Sequence, residues 1–243
     1  WKSGDVPKKN IAKVEQQQKQ TVYLIDKPGA GQSIVIAGHA TLPQANPDEI
    51  AIETMNNVLG GMFTSRVNMN LREDKHWAYG AQTVFFGAKG QRPFLALAPV
   101  QTDKTKESMM EVMKELKQVI GDKPVTREEF EKVQKNAVLE LSGSWETNGA
   151  IMGSIANIVR YGYADDYYQT YAKKVNNLSY EEVRDVAKKA LYPDNLVWII
   201  VGDREKVEQG IKELQYGEMK YLDADGNDLS QIQQKVPPIE KKK

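Results

Sequence analysis

Apolar positions along this chain recur with two different periods, and the change from one to the other sets the order of elements. Residues 1 to about 20, WKSGDVPKKNIAKVEQQQKQ, hold no period and read as a polar linker or arm. TVYLID (21–26) is a short strand closed by the turn Lys27-Pro28-Gly29. GQSIVIAGHAT (31–41) is a second strand, with Ser33, Val35, Ala37 and His39 on one face. The period then lengthens. In ANPDEIAIETMNNVLGG, Ala51, Met55, Val58 and Leu59 make a helical stripe. Asn46 is the expected N-cap, with Pro47 at the first helical position, and Asp48 and Glu49 suit the positive dipole end. Gly60-Gly61 stops the helix, and a short helix follows over about 65–73.

Tyr79 is expected to open a strand, YGAQTVFFGA (79–88), which turns through Lys89-Gly90-Gln91 into RPFLALAPVQT (92–102). Helical spacing returns in KTKESMMEVMKELKQVIGD, where Met109, Val112, Met113, Leu116 and Ile120 are core positions. Capping boxes at Thr126/Glu129 and Ser179/Glu182 start two further helices. Helices at about 148–161 and 165–176 lie between them. NLVWIIVGD (195–203) reads as a buried strand, followed by a short helix over 204–214. Hairpin strands grouped ahead of a helical block predict an α+β fold: a mostly antiparallel sheet covered by helices. With no internal repeat and no second linker, the division is an arm (1–20), one domain (21–222) and a flexible tail (223–243).

Composition narrows the chemistry. The 243 residues contain 33 Lys+Arg against 33 Asp+Glu, a balance that argues against a general nucleic-acid binder. No apolar run is long enough to span a membrane. Trp1 rather than Met opens the chain, as expected of a piece of a longer protein whose targeting segment would lie upstream. Cysteine is absent, so disulfides and thiolate metal sites are excluded. The two histidines, His39 and His76, lie 37 residues apart, and no H-x-x-E-H or H-x-x-x-H occurs. A self-sufficient catalytic zinc site needs more ligands than this, so no metal is assigned to the chain.

The stretch SRVNMNLREDKHWAYGAQTVFFGA (65–88) places Arg72 at a helix end and Tyr79 seven residues on. Arg72 alone could be a solvated helix-end cation, and Tyr79 an ordinary strand aromatic. Glu73 reads as a partner for a nearby cation, Arg66 as structural and His76 as a surface residue. His39 is expected to face a neighbouring strand or helix. Tyr161, Tyr163, Tyr167, Tyr168 and Tyr171 are expected to pack between helices or at a rim rather than stack on bases.

The set Gly60-Gly61, Ser65-Arg66, Leu71-Arg72-Glu73 and Ala78-Tyr79 resembles the inverted-zincin peptidases, a family that includes pitrilysin, insulin-degrading enzyme and mitochondrial processing peptidase. It is similar to their C-terminal half-module in particular, through the turn Asp26-Lys27-Pro28-Gly29-Ala30-Gly31-Gln32-Ser33, the later TREEFEKVQKN and the VGD strand end. The likeness runs over about 21–203. It implies two α+β halves closing round a peptide, the first half holding zinc. The second half lacks the zinc ligands and supplies an Arg and a Tyr, here Arg72 and Tyr79. The implied cofactor is thus zinc in a partner half, on the same polypeptide or a separate subunit. The implied substrate is a peptide, and the implied compartment is periplasmic or exported, the cytoplasm remaining open. The C-halves often carry Gly-Leu where this chain has His76-Trp77. A scaffold or core subunit of the same fold, or a peptide-binding module, is the alternative.

Overall fold

The computed structural model describes residues 2–229. Six strands form one sheet: β1 (Thr21–Asp26), β2 (Gln32–Thr41), β3 (Gln82–Phe85), β4 (Arg92–Gln101), β5 (Val197–Gly202) and β6 (Glu218–Leu222). Their order across the sheet is β3-β4-β2-β5-β1-β6. The ladders β3–β4, β4–β2 and β2–β5 are antiparallel, whereas β1 pairs in parallel with both β5 and β6. The α+β class is as read from the sequence, and the sheet is mixed. The parallel half exists because the late strand β5 inserts between β1 and β2. The helix that follows then carries the chain over β1 to the far edge, where β6 closes the expected domain with a strand that was not predicted.

Eight α-helices accompany the sheet among the described residues: α1 (Glu49–Asn56), α2 (Arg66–Asn68), α3 (Thr105–Ile120), α4 (Arg127–Glu140), α5 (Asn148–Tyr161), α6 (Tyr167–Asn177), α7 (Tyr180–Ala190) and α8 (Arg204–Glu213). The two capping boxes form, Thr126 and Ser179 each accepting from the third residue's N–H while Glu129 and Glu182 return the bond. The start of α1 differs from expectation. Asn46 Oδ1 accepts from Asp48 N at 2.9 Å, which makes a turn, and the helix begins two residues later with Asp48 as its cap.

One sheet face carries the core. Val22, Leu24, Val35, Ala37, Phe94, Ala96, Ala98, Val100, Trp198 and Ile200 are buried there. Against them pack Ile52, Met55 and Leu59 from the α1 segment, Met109, Val112 and Leu116 from α3, and Val183 and Val186 from α7. Each fully buried Leu, Ile or Met stabilises the fold by roughly 1.5–3 kcal/mol. The opposite face is open. Ile36, Leu95, Leu97, Val197, Ile199 and Val201 are only half-buried and Ile34 is exposed. β5 is therefore buried on alternate residues rather than throughout, although its apolar run is continuous.

The arm before β1 has no regular structure, yet it lies against the domain. Val14 N–H donates to Gln91 Oε1 at 2.7 Å, and Gln20 Oε1 accepts from Trp198 Nε1 at 2.9 Å. Of the predicted tail, residues 230–243 lie outside the described residues.

Candidate functional site: an open groove holding Arg72 and Tyr79

The groove is built where the end of α1 meets β3. After Asn56 the helix widens into a π turn over Asn57–Gly61. Gly60 sits directly on β3: a Cβ there would lie 2.4 Å from Thr83 Oγ1 and 2.5 Å from Thr83 N, so only glycine allows the approach. Thr83 Oγ1 also donates to Asn56 Oδ1 at 2.7 Å, pinning strand to helix.

The next helix is fixed from two sides. Arg66 donates Nε and Nη2 to the two carboxylate oxygens of Glu129, at 2.7 and 2.5 Å, and reaches the carbonyls of Lys123 and Pro124. Its role is structural, as expected. Asn68, buried, donates to Phe63 O at 2.6 Å and accepts from Ala81 N at 3.0 Å. That pair of bonds ties the helix to the chain just past Tyr79.

A second π turn, Met69–Asp74, carries Arg72. The chain reverses at His76, whose φ of 59° is left-handed backbone. Glycine takes that conformation freely and a side chain only with strain, which is the physical sense of the glycine expected there. His76 itself is exposed. Trp77 N–H donates to Leu71 O at 2.9 Å, and Ala78 forms a lone bridge with Val100.

Tyr79 comes next, in a bend. It does not open the strand, because β3 starts only at Gln82. The bend releases the ring from the sheet, and Tyr79 is 85% exposed. Arg72 lies with its guanidinium 4.6 Å from the Phe63 ring centre and its Nε 3.1 Å from Glu73 Oε1. Arg72 and Tyr79 line one groove of about 740 Å³. Its floor includes Ile34, Leu97 and Pro99 from the open sheet face. The two candidate residues thus line one groove, and neither is sealed in hydrocarbon.

The histidines do not converge. His39 is buried beneath the helices, its Nε2 accepting from Tyr192 N at 3.2 Å and its Nδ1 3.0 Å from Ala40 O. That arrangement puts the proton on Nδ1, and burial lowers its pKa to about 4. Among the described residues no group of three or more His, Asp and Glu could hold a metal ion, so the donor set does not fit zinc.

A second polar centre escaped the sequence reading. Arg92 and Glu49 are both buried and form a two-pronged ion pair, Nη1–Oε1 at 2.7 Å and Nη2–Oε2 at 2.5 Å. Gln44 and Asn46 complete the shell around Glu49. One turn on, Glu53 accepts from Tyr171 Oη at 3.2 Å and has no ion pair among the described residues. Burial first, and then the charge of Glu49, push Glu53 up to about 7. Parity was the available signal: Arg92 shares its strand face with Phe94 and Ala96, so it had to point inward.

Several solved structures share this fold. A peptidase M16 inactive domain from Pseudomonas fluorescens superposes with a TM-score of 0.70 at 21% identity, over 79% of this chain and 46% of that one. A protease from Helicobacter pylori gives 0.68 at 16% identity, over 82% and 48%. A chain of complex III2 from Candida albicans gives 0.63 at 10%, over 80% and 49%. The chain thus spans about half the length of each of these structures, and at such identities the likeness establishes the fold alone. No curated protein sequence matches it. A family model described as the peptidase M16 inactive domain matches residues 1–137, more than half of the 243 residues. The chain belongs to the peptidase M16 family, as an inactive domain of it.

Proposed function

We propose that this chain is the zinc-less half of a two-module zinc endopeptidase and closes over peptide held by a zinc-bearing half. One observation carries the reading: Arg72 and Tyr79 face a common open groove whose wall is built by tightly pinned elements. The metal and its chemistry belong to the other module. From this side, the Tyr79 hydroxyl would donate to the carbonyl oxygen as negative charge develops on it during peptide cleavage. One such donor contributes roughly 3–4 kcal/mol to the transition state. Arg72 would grip a backbone carbonyl or carboxylate through its fixed fork of N–H donors. The half-buried Ile36, Leu97 and Ile199 would form an apolar chamber wall.

Reconstitution tests the reading. The chain alone should hold no stoichiometric zinc by elemental analysis and should cleave no peptide. Mixed with or fused to its zinc-bearing half it should restore hydrolysis, and Arg72→Lys should raise KM more than it lowers kcat. One tightly held zinc in the isolated chain, or a zinc half that is fully active without it, would overturn the proposal.

A further inference from the structure

Between α1 and the α5–α6 hairpin lies a second cavity, of about 320 Å³, separate from the Arg72–Tyr79 groove. One tryptophan and five tyrosines line it, among them Trp145, Tyr161, Tyr168 and Tyr171. Its carboxylates are Glu53, on the α1 side, and Glu140, exposed at the end of α4. No Lys, Arg or His is among its lining residues. The rings are held in place rather than loosely gathered. Tyr163 and Tyr167 stack at 4.1 Å, Tyr167 meets Tyr168 edge-on at 5.1 Å, and Trp145 meets Tyr168 edge-on at 5.8 Å. Trp145 Nε1 donates to Ser154 Oγ at 2.9 Å, which fixes the indole.

The charges around this cavity are unbalanced. The nearby Arg92 spends both terminal nitrogens on Glu49 and Gln44. Lys174 lies outside, over Tyr167, beside a neighbouring crevice. Among the described residues Glu53 has one phenol bond and no direct ion pair, and Arg92, already engaged by Glu49, acts on it only through space. Its raised pKa, set by burial and the charge of Glu49, is the expected companion of that isolation. An anion entering here would meet carboxylate. A cation would meet π faces and a carboxylate together, each of which attracts it.

We infer that this aromatic crevice is a binding site for a single cationic side chain, a guanidinium or ammonium presented by a peptide, with Glu53 as its counter-ion. The cavity is large enough for one such side chain, and its lining offers a carboxylate rather than a cation as a charge partner. The assignment does not depend on the proposed peptidase role, because binding can be read without turnover.

Calorimetry on the chain at pH 8 tests it, using acetyl-Ala-Arg-Ala-amide against the same peptide with citrulline, which keeps the shape and loses the charge. The arginine peptide should bind about tenfold tighter. Glu53→Gln should erase that preference, and Tyr168→Leu should weaken the arginine peptide several-fold. Circular dichroism of each variant establishes that the fold is kept, and if Glu53→Gln fails to fold, Tyr168→Leu carries the test. Equal affinity for both peptides, no binding at millimolar concentration, a preference that survives in Glu53→Gln, or unchanged affinity in a folded Tyr168→Leu variant would each overturn the assignment.

Discussion

Two arginines in this chain sit beside carboxylates, and they are opposites. Arg92 and Glu49 are 1% and 5% exposed, whereas Arg72 and Glu73 are 40% and 43% exposed. The first pair has traded water for each other and for Gln44 and Asn46, so either partner left alone would be a buried, uncompensated charge. The second pair keeps its water, so its attraction is nearly cancelled by hydration and side-chain entropy. The buried arginine is committed to holding α1 on β4. The exposed one can let go of Glu73 at little cost and engage something else. The contrast separates a residue that maintains the fold from one available for a ligand.

The largest effect expected from breaking this contrast is on the buried side. Arg92→Ala should destabilise the chain by about 3–5 kcal/mol, since it strands Glu49 in a dry site. Urea titration measures it. The double change Arg92→Met with Glu49→Leu should recover much of that loss. If the single and double variants lose the same amount, packing rather than the stranded charge sets the cost.

Next in size are two opposing pH dependences. Glu53 is raised to about 7, by burial and then by Glu49, with Tyr171 and Arg92 opposing. A raised group stabilises fully below its unfolded value of 4.5 and loses that contribution as pH climbs through about 7. His39, among Ala40, Phe94 and Tyr192, is lowered to about 4 from 6.5 by burial. Its contribution is present above 6.5 and is lost as pH falls through about 4. Between pH 4.5 and 6.5 the two slopes oppose each other. Glu53→Gln should therefore leave stability rising with pH over that window, and His39→Gln should leave it falling. Denaturant midpoints across the window give both slopes, and parallel profiles in the two variants would refute the assignment.

The smallest stability effect belongs to the exposed pair. Glu73→Gln should change stability by no more than about 0.5 kcal/mol. A loss several times larger would mean that Arg72 is held as firmly as Arg92 and is not available for a ligand.

Local signals in the sequence were enough for most of the architecture. Period-two runs marked β1, β2 and β4, and capping boxes placed the starts of α4 and α7 to the residue, because a cap is a bond between near neighbours. The parallel half of the sheet was not legible in the same way. It depends on β5 slipping between β1 and β2, a choice made by packing across the whole chain. β6 was missed because EMKYL is a short, charged edge strand with half-buried residues. Tyr79 was placed in a strand for its aromatic and β-forming neighbours. The His76 reversal and the single Ala78–Val100 bridge hold it in a bend instead. Within the groove, the pairing of Arg72 with Tyr79 came from a resemblance. Spacing alone left both residues open to ordinary roles. The tyrosine cluster was read as packing between helices or at a rim. What no local pattern disclosed is that its rings line a cavity shared with Glu53 on another helix.

The central claim is that Tyr79 serves a reaction whose metal is bound elsewhere, and one substitution tests it directly. In the proposed two-module assembly, Tyr79→Phe removes a single hydroxyl from a side chain that is 85% exposed, so the fold should be untouched. Steady-state hydrolysis of a peptide substrate should then show kcat lower by about a hundredfold with KM little changed. Full turnover in the Tyr79→Phe enzyme would contradict the account and leave this chain a scaffold.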